Sequence, residues 1–169
     1  MSAAQLAGSA AVSPDGVYRY ELRRWWARGE VVRFIMLNPS TADATVDDPT
    51  IRRCVGFARS WGYGSLVVHN LYALRATDPT ALAAHPDPVG PDNDDHLRHW
   101  APPRSFTVCA WGAHPMAARR APAVLALLRA AGFTPHHLGL TAAGAPRHPL
   151  YLPGATAPAP LIEEGPTRA

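Results

Sequence analysis

Short apolar runs alternate with helical patterns along most of this chain, and this alternation constrains its fold more than any other feature. Several runs bounded by Gly, Pro, Asp or Asn predict β-strands. They cover residues 18–26, 31–37, 65–70, 104–110 and 136–140. Because only residues 27–30 join the first two runs, we expect those runs to form a hairpin or to enter the sheet one after the other. Strands that alternate with helices form a parallel sheet with helices on both faces, so we predict an α/β fold, a three-layer sandwich with a mainly parallel central sheet.

Asp and Pro mark the helix starts. Asp48-Pro49 provides an N-cap and a first-turn proline for an apolar stripe that ends at Gly62. Asp78-Pro79 begins a short helix in the same way, and another is predicted from Pro91-Asp92 to about Trp100. Residues 116–131 are rich in Ala and Leu and predict a longer helix.

The length and composition of the chain fit one folded unit. Its 169 residues, 47% hydrophobic and 17% charged, can bury one substantial core but hardly two. The Ala/Ser-rich residues 1–14 and the Pro/Ala-rich residues 154–169 predict mobile ends around a single α/β domain at 15–153. No apolar run is long enough to span a bilayer, and the first residues lack a signal-peptide pattern. We expect a cytoplasmic monomer with no membrane partner.

The charge and the motif content of the chain limit the classes of function that it can have. The net charge of +3 permits contact with a polyanion, although no dense basic run requires it. Cys54 and Cys109 do not form a CxxC pair, and no HxxxH or HExxH spacing is present. The chain also lacks GxGxxG, GxxxxGK[ST] and GxSxG, which removes the usual support for dinucleotide, nucleoside-triphosphate and α/β-hydrolase functions. We predict neither a metal nor a cofactor.

Most of the unusual polar residues follow the ends of predicted strands. Open α/β sheets bind ligands in the crevice beyond the carboxyl ends of their strands. The segments in that position are 38–48, 70–75, 111–114 and 141–152. They predict a ligand cleft in which Asn38, at the tip of a buried strand, positions a water or hydrogen-bonds a base. An Asx-turn within Asn38-Pro39-Ser40-Thr41 is an equally weighted structural alternative.

Other candidates lie in the same segments. Asp43 and Asp47 have no evident capping role, so either carboxylate could activate water or stabilise a developing cation, whereas a helix N-cap fully explains Asp48. Asn70 presents a donor and an acceptor together, which suits a nucleobase edge as well as a turn. His148 lies in a Gly/Pro-rich loop that could hold its imidazole over a ligand, although a loop histidine is more often simply exposed.

Taken in order, these segments resemble the motifs of the uracil-DNA glycosylase superfamily. FIMLNPST is similar to the first motif of its mismatch-specific branch, and DPTIRRCVGFARSWGYG resembles the helix that follows it. SLVVHNLYAL resembles the strand whose terminal Asn reads the base, and FTVCAWGAHP a later strand and turn. HHLGLTAAGAPRHPLYLP resembles the strand and loop that press on the DNA backbone. The resemblance spans about residues 32–152, while NPSTAD and DPTIRR also resemble a bacterial and phage family of unknown function.

The resemblance implies a monofunctional DNA base glycosylase, which flips a nucleotide out of the stack and hydrolyses its N-glycosidic bond. Its expected partner is duplex or single-stranded DNA. The catalytic candidates are Asn38, Asp43, Asp47 and His148; the base-binding candidates are Asn70, Tyr72, Pro39 and Ser40; and the DNA-binding candidates are Arg147, Pro149, Leu150 and Tyr151. Tyr72 or Trp111 could stack on the flipped base, and Leu150 or Tyr151 could wedge into the vacated stack.

The sequence departs from the uracil-specific pattern. It has Asn38 where that branch has Asp, it lacks the Tyr that excludes thymine there, and Leu150 stands where a Ser is expected. These departures favour a damaged or modified base over uracil. Two other functions stay open: a hydrolase or transferase that acts on free nucleosides or nucleotides, and a non-catalytic module that binds modified DNA.

Overall fold

The computed structural model describes residues 6–99 and 105–162, and its strands form one seven-stranded sheet. The strands are β1 (Ala7–Val12), β2 (Arg19–Trp25), β3 (Val31–Met36), β4 (Ser65–Asn70), β5 (Phe106–Cys109), β6 (Pro135–His137) and β7 (Ala159–Pro160). They lie in the order β1-β2-β4-β3-β5-β6-β7. The helices are α1 (Pro49–Ser60), α2 (Thr80–Ala84), α3 (Asn93–His99), α4 (Pro115–Ala130) and a 3₁₀-helix at Pro149–Tyr151.

Helices cover both faces of the sheet, which confirms the predicted α/β fold with three layers. On one face, α1 buries Phe57 in a core shared with Phe34 of β3. On the other face, α2, α3 and α4 contribute Leu82, Leu97 and Val124 to a second core. None of the helices in the described ranges has the length and apolarity needed to cross a membrane.

The sheet is mixed, so the prediction of a mainly parallel sheet is wrong. β4, β3, β5 and β6 run parallel, whereas β1, β2 and β7 are antiparallel to their neighbours. Parallel neighbours require a long crossover connection, usually a helix. Within residues 6–99 and 105–162, such helices follow only β3, β4 and β5. The remaining strands therefore join the two edges of the sheet in antiparallel orientation.

β2 and β3 both belong to the sheet but do not form a hairpin, which was one of the two predicted arrangements, because β4 lies between them. Gly64, just before β4, donates its N–H to the Glu30 carbonyl at 3.1 Å and accepts the Trp26 N–H at 3.0 Å. A side chain at Gly64 would collide with the Ala27 carbonyl. The link after β2 is thus bonded to the start of β4, which pairs antiparallel with β2 and parallel with β3.

Both ends of the described chain join the sheet, so the mobility predicted for the two ends does not hold for residues 7–12 and 159–160. β1 pairs along β2, and β7 pairs with β6. At Gly8 in β1, any side chain would collide with the Arg24 guanidinium and the Ala44 carbonyl. The small residues of β1 therefore reflect a close approach between segments and not disorder.

The observed element boundaries agree best with the predicted ones where the local sequence signals are strong. β4 matches the predicted strand, and α1 begins after its predicted N-cap, Asp48. β6 begins one residue before the predicted run at 136–140. It ends at His137, earlier than predicted, because the chain turns at Gly139, whose φ is 120°. Several expectations fall outside the described residues: those on residues 1–5 and 163–169, the strand start at Arg104 and the helix end at Trp100.

A polar cluster docks α3 on the sheet. Glu21 Oε1 lies 2.9 Å from His96 Nδ1 and 3.4 Å from His69 Nε2, and Tyr20 stacks on the His96 ring at a centroid distance of 4.8 Å. Burial lowers the pKa of His69 to about 4, against the opposing effect of the Glu21 carboxylate, so the ring is neutral at pH 7. Burial alone would raise the pKa of Glu21, but His69 and His96 hold it well below its usual range.

Candidate active site

The candidate site is a cleft at the carboxyl ends of β3 and β4. After β3 the chain forms α1 and places β4 on one side, and it then crosses to place β5 on the other side of β3. This reversal of strand order opens a crevice of the kind in which α/β sheets bind ligands. A cavity of about 230 Å³ occupies it.

Each of the segments predicted to form the cleft contributes at least one residue to this cavity. The predicted site residues that line it are Asn38, Ser40, Asn70 and His148. Other lining residues include Arg19, Asp48, Thr50, Thr77 and Trp111. The fold therefore brings together side chains that are far apart in the sequence.

Asn38 fixes the loop after β3 and leaves one polar atom for the cleft. Its Nδ2 donates to the carbonyl oxygens of Pro39 at 3.0 Å and Ala76 at 2.8 Å, which uses both amide hydrogens. In the described ranges, no donor bonds to Asn38 Oδ1, so this oxygen can accept a hydrogen bond from water or a ligand. A turn-stabilising role and a ligand-binding role, the two alternatives at this position, are compatible in one side chain.

Asn70 ends β4 with its amide at the cavity. The residue is 1% exposed, and its Nδ2 is buried without a hydrogen-bond partner among the described residues. Asn93 Nδ2 holds the Asn70 carbonyl at 3.0 Å, which fixes the strand end. Leaving a buried donor unsatisfied costs about 1–3 kcal/mol. A ligand acceptor that reached Asn70 would remove that cost.

His148 presents a neutral donor to the cavity. Its Nδ1 accepts the Leu150 N–H at 3.2 Å and caps the 3₁₀-helix. In the neutral ring, the hydrogen is therefore assigned to Nε2. Burial lowers the pKa of His148, opposed by the Asp48 carboxylate, so the imidazole is uncharged at pH 7.

Arg53, from the DPTIRR stretch, fastens the turn that carries His148 to α1. Its Nη2 donates to the Leu152 carbonyl, and its Nε donates to the Pro149 carbonyl at 3.4 Å. The guanidinium carbon also lies 4.9 Å from the centre of the Phe57 ring. The helix after the first motif thus determines where the His148 loop sits.

Asp43 and Asp47, the two predicted catalytic carboxylates, hold the loop before α1 and do not line the cavity. Asp43 Oδ1 accepts the N–H groups of Thr45 and Val46, each at 2.8 Å, and these bonds keep its pKa below the usual range. Asp47 Oδ1 lies 2.7 Å from Nε of the buried Arg24. Both carboxylates are therefore occupied by the loop and by β2.

Asp48 is the carboxylate at the cavity. Its Oδ1 accepts the Ile51 N–H at 2.8 Å, so the predicted N-cap is confirmed. The same side chain lines the cavity and raises the pKa of both Arg19 and His148, although burial lowers each of them overall. The capping explanation was sufficient for Asp48 in the sequence, but it does not exhaust what this residue can do.

Trp111, one of the two stacking candidates, lines the cavity, whereas the remaining candidates lie outside its lining. Tyr72 is buried in the core, where its hydroxyl donates to the Met116 carbonyl at 2.8 Å, so it is not placed to stack on a ligand there. The Pro39 carbonyl is used by the Asn38 amide. Near His148, Arg147 and Tyr151 are exposed, Leu150 is partly buried and Pro149 is buried. Their DNA contacts stay predictions.

Arg19 is a cavity residue that the sequence did not indicate. In β1, Ala11 pairs with Glu21 and Val12 pairs with Arg19, which leaves Tyr20 as an extra residue in β2. Strict alternation would turn Arg19 to the face of Glu21, but a β-bulge re-aims the side chain. Tyr20 and Glu21 both contact α3, and Arg19 instead faces the cavity.

The described residues contain no group of His, Cys, Asp or Glu side chains arranged to hold a metal ion. Cys54 and Cys109 are both buried and unpaired by any disulfide. Burial raises the pKa of the Cys109 thiol to about 12 and raises that of Cys54 as well. Both thiols are therefore protonated core groups.

These features define an α/β protein with a polar cleft at the point where its strand order reverses. A sequence model of the family described as "Protein of unknown function (DUF1643)" matches residues 19–150. The chain belongs to this family. No curated protein and no solved structure matches it. The matched range begins at Arg19 and includes every cavity residue named above.

Proposed function

We propose that this protein hydrolyses the N-glycosidic bond of a damaged or modified base in DNA. The observation that carries the proposal is the convergence of Asn38, Asn70 and His148 on one small cavity. These are the positions that resemble the catalytic, base-reading and backbone-contacting motifs of the uracil-DNA glycosylase superfamily. The unpartnered Nδ2 of Asn70 supports a base edge as the group that binds there.

In the proposed reaction, a water attacks C1′ of the flipped nucleotide while the bond from C1′ to the base nitrogen breaks. The electron pair of that bond leaves with the base, which later takes a proton from solvent. Asn38 Oδ1 accepts a hydrogen bond from the water, and Asp48 takes the proton that the water loses. The Asp48 carboxylate also stabilises the cationic sugar, and His148 Nε2 donates to the departing base.

The proposal is tested with duplex and single-stranded oligonucleotides that carry uracil, hypoxanthine, mismatched or hypermodified bases. Treatment with alkali cleaves the strand wherever a base has been removed. We expect cleavage with at least one base and a loss of about 100-fold or more in Asn38→Ala, the scale of removing one positioning group. Asp95→Ala on the exposed face of α3 serves as a control and should retain full cleavage. No cleavage across the panel, or cleavage unchanged in Asn38→Ala, refutes the proposal.

A second candidate is a hydrolase or transferase that acts on free nucleosides or nucleotides. Arg19 favours it, because a buried guanidinium at the cavity suits the phosphate of a small molecule. The same panel offered as mononucleosides and mononucleotides separates the two functions. Base release from monomers but from no oligonucleotide would replace the glycosylase proposal with this one.

A further inference from the structure

Arg19 is a buried cation at the cavity that forms no ion pair with any residue in 6–99 or 105–162. It is 3% exposed, and its Nε is buried with no hydrogen-bond partner within those ranges. Its Nη1 donates to the carbonyl of Ala42, which is a neutral group. Burial lowers the pKa of Arg19 to about 10, so the side chain is still charged at pH 7. The nearby Asp48 favours the charged form but does not pair with it.

Arg24, on the same strand, is a buried arginine whose three guanidinium nitrogens all have partners within the protein. Arg24 is 2% exposed, and its Nε lies 2.7 Å from Asp47 Oδ1. Its remaining nitrogens donate to the backbone carbonyls of Arg23, Asp43 and Val46. Removing a charge from water without a counter-charge is strongly unfavourable. The contrast suggests that the counter-charge for Arg19 comes from a ligand.

The position of Arg19 supports the same conclusion. A β-bulge at Tyr20 turns Arg19 toward the cavity, and bulges of this kind are common next to active sites. Asn70, with its unpartnered buried Nδ2, lines the same cavity. A guanidinium edge formed by Nε and one Nη matches the two oxygens of a carboxylate or phosphate. The cavity thus offers a cation and an amide donor to one ligand.

We propose that the ligand of this cavity carries an oxyanion, a carboxylate or a phosphate, that pairs with Arg19 while its base edge binds Asn70. The inference rests on the proposed function in that it assigns the cavity to a nucleobase. The oxyanion has two possible sources: an acidic substituent on a modified base, or the phosphate of a free nucleotide. Plain uracil in DNA carries neither inside the cavity.

Two pairs of probes distinguish the sources by calorimetry on the wild-type protein. The first pair is 5-carboxyuracil and uracil-5-carboxamide, which differ in charge but hardly in shape. The second pair is thymidine 5′-monophosphate and thymidine. We expect the charged member of one pair to bind about tenfold tighter or more, the range of a hydrogen-bonded charge pair. The pair that shows the preference identifies the source of the oxyanion.

Variants test whether Arg19 is responsible. Arg19→Gln should abolish the preference for the charged probe, and Arg19→Lys, which keeps the charge but loses the fork, should retain part of it. Arg98→Gln removes the same charge from the exposed face of α3 and should leave the preference intact. If Arg19→Gln fails to fold, the wild-type comparison and Arg19→Lys still decide the matter.

Equal binding of the charged and neutral members in both pairs overturns the inference, and so does a preference that persists in Arg19→Gln. These outcomes are independent of turnover. An Arg19-dependent preference without any base release from oligonucleotides would uphold the inference and refute the glycosylase. Base release from oligonucleotides without any preference for the charged probes would support the glycosylase and refute the inference about Arg19.

Discussion

Replacing Asp48 with serine separates the two roles that the structure combines in this carboxylate. Asp48 Oδ1 accepts the Ile51 N–H at 2.8 Å as the N-cap of α1, and the residue also lines the cavity with Arg19 and His148. Serine is about as good an N-cap as aspartate, so Asp48→Ser keeps the cap and removes the charge. Asp48→Ala removes both.

The stability difference between the two variants follows from the cap alone. Losing an N-cap side chain costs about 1 kcal/mol, which lowers the Tm of a chain of this size by roughly 2–4 °C. We expect Asp48→Ala to show this loss and Asp48→Ser to lie within about 0.5 kcal/mol of the wild type. Urea unfolding followed by circular dichroism measures both, with equal slopes as the check that only stability has changed.

His148 reports the electrostatic role of Asp48 independently of turnover. Burial lowers the pKa of His148 and the Asp48 carboxylate opposes that shift, so both variants should move this pKa further down. An NMR titration of the imidazole follows it. In the base-release assay, both variants should lose about 10²–10⁴-fold, because the acceptor of the water proton is gone. An Asp48→Ser protein with wild-type activity and an unchanged His148 titration would show that Asp48 is only a helix cap.

Two other outcomes concern residues outside the cavity lining. Burial lowers the pKa of His69 from 6.5 to about 4, so between these values the unfolded chain binds a proton that the folded chain does not. The unfolding free energy should therefore fall by about 3 kcal/mol from pH 7 to pH 4. Urea titrations at each pH measure this dependence, and His69→Gln should make it weaker. A pH dependence that the substitution leaves unchanged would contradict this explanation. Arg53→Met should release the Leu152 carbonyl and speed amide exchange at residues 150–152 while α1 stays protected. Unchanged exchange at these residues would show that Arg53 does not hold the turn.

Elements with strong local signals could be predicted from the sequence, and the pairing between them could not. β4 and α1 are marked by a continuous apolar run and by Asp48-Pro49, and both lie where expected. The insertion of β4 between β2 and β3 depends on contacts made by Gly64 with residues far away in the chain. Likewise, the Ala, Ser and Gly residues of β1 indicate disorder only when the close packing around Gly8 is unknown.

The position of the cleft could be predicted from the rule that ligands bind at strand ends. Its charged residues, Arg19 and Asp48, could not. Arg19 is turned into the cavity by a bulge, which no local pattern in β2 reveals. No local pattern reveals the partners of Asp43 and Asp47, because the loop conformation aims the Thr45 and Val46 N–H groups at Asp43 and the sheet brings Arg24 to Asp47. The N-cap position of Asp48 explains this residue locally and hides its second place at the cavity.

Base excision itself is measured most directly by mass spectrometry of an oligonucleotide reaction, which detects the free base and the abasic strand together. We expect the wild-type protein to release both in equal amounts from at least one modified oligonucleotide. Asn38→Ala should release at least about 100-fold less, and the matching mononucleosides should stay intact. Free base that appears only from monomers, from no substrate, or equally with Asn38→Ala would contradict the assignment of this cavity to DNA base excision.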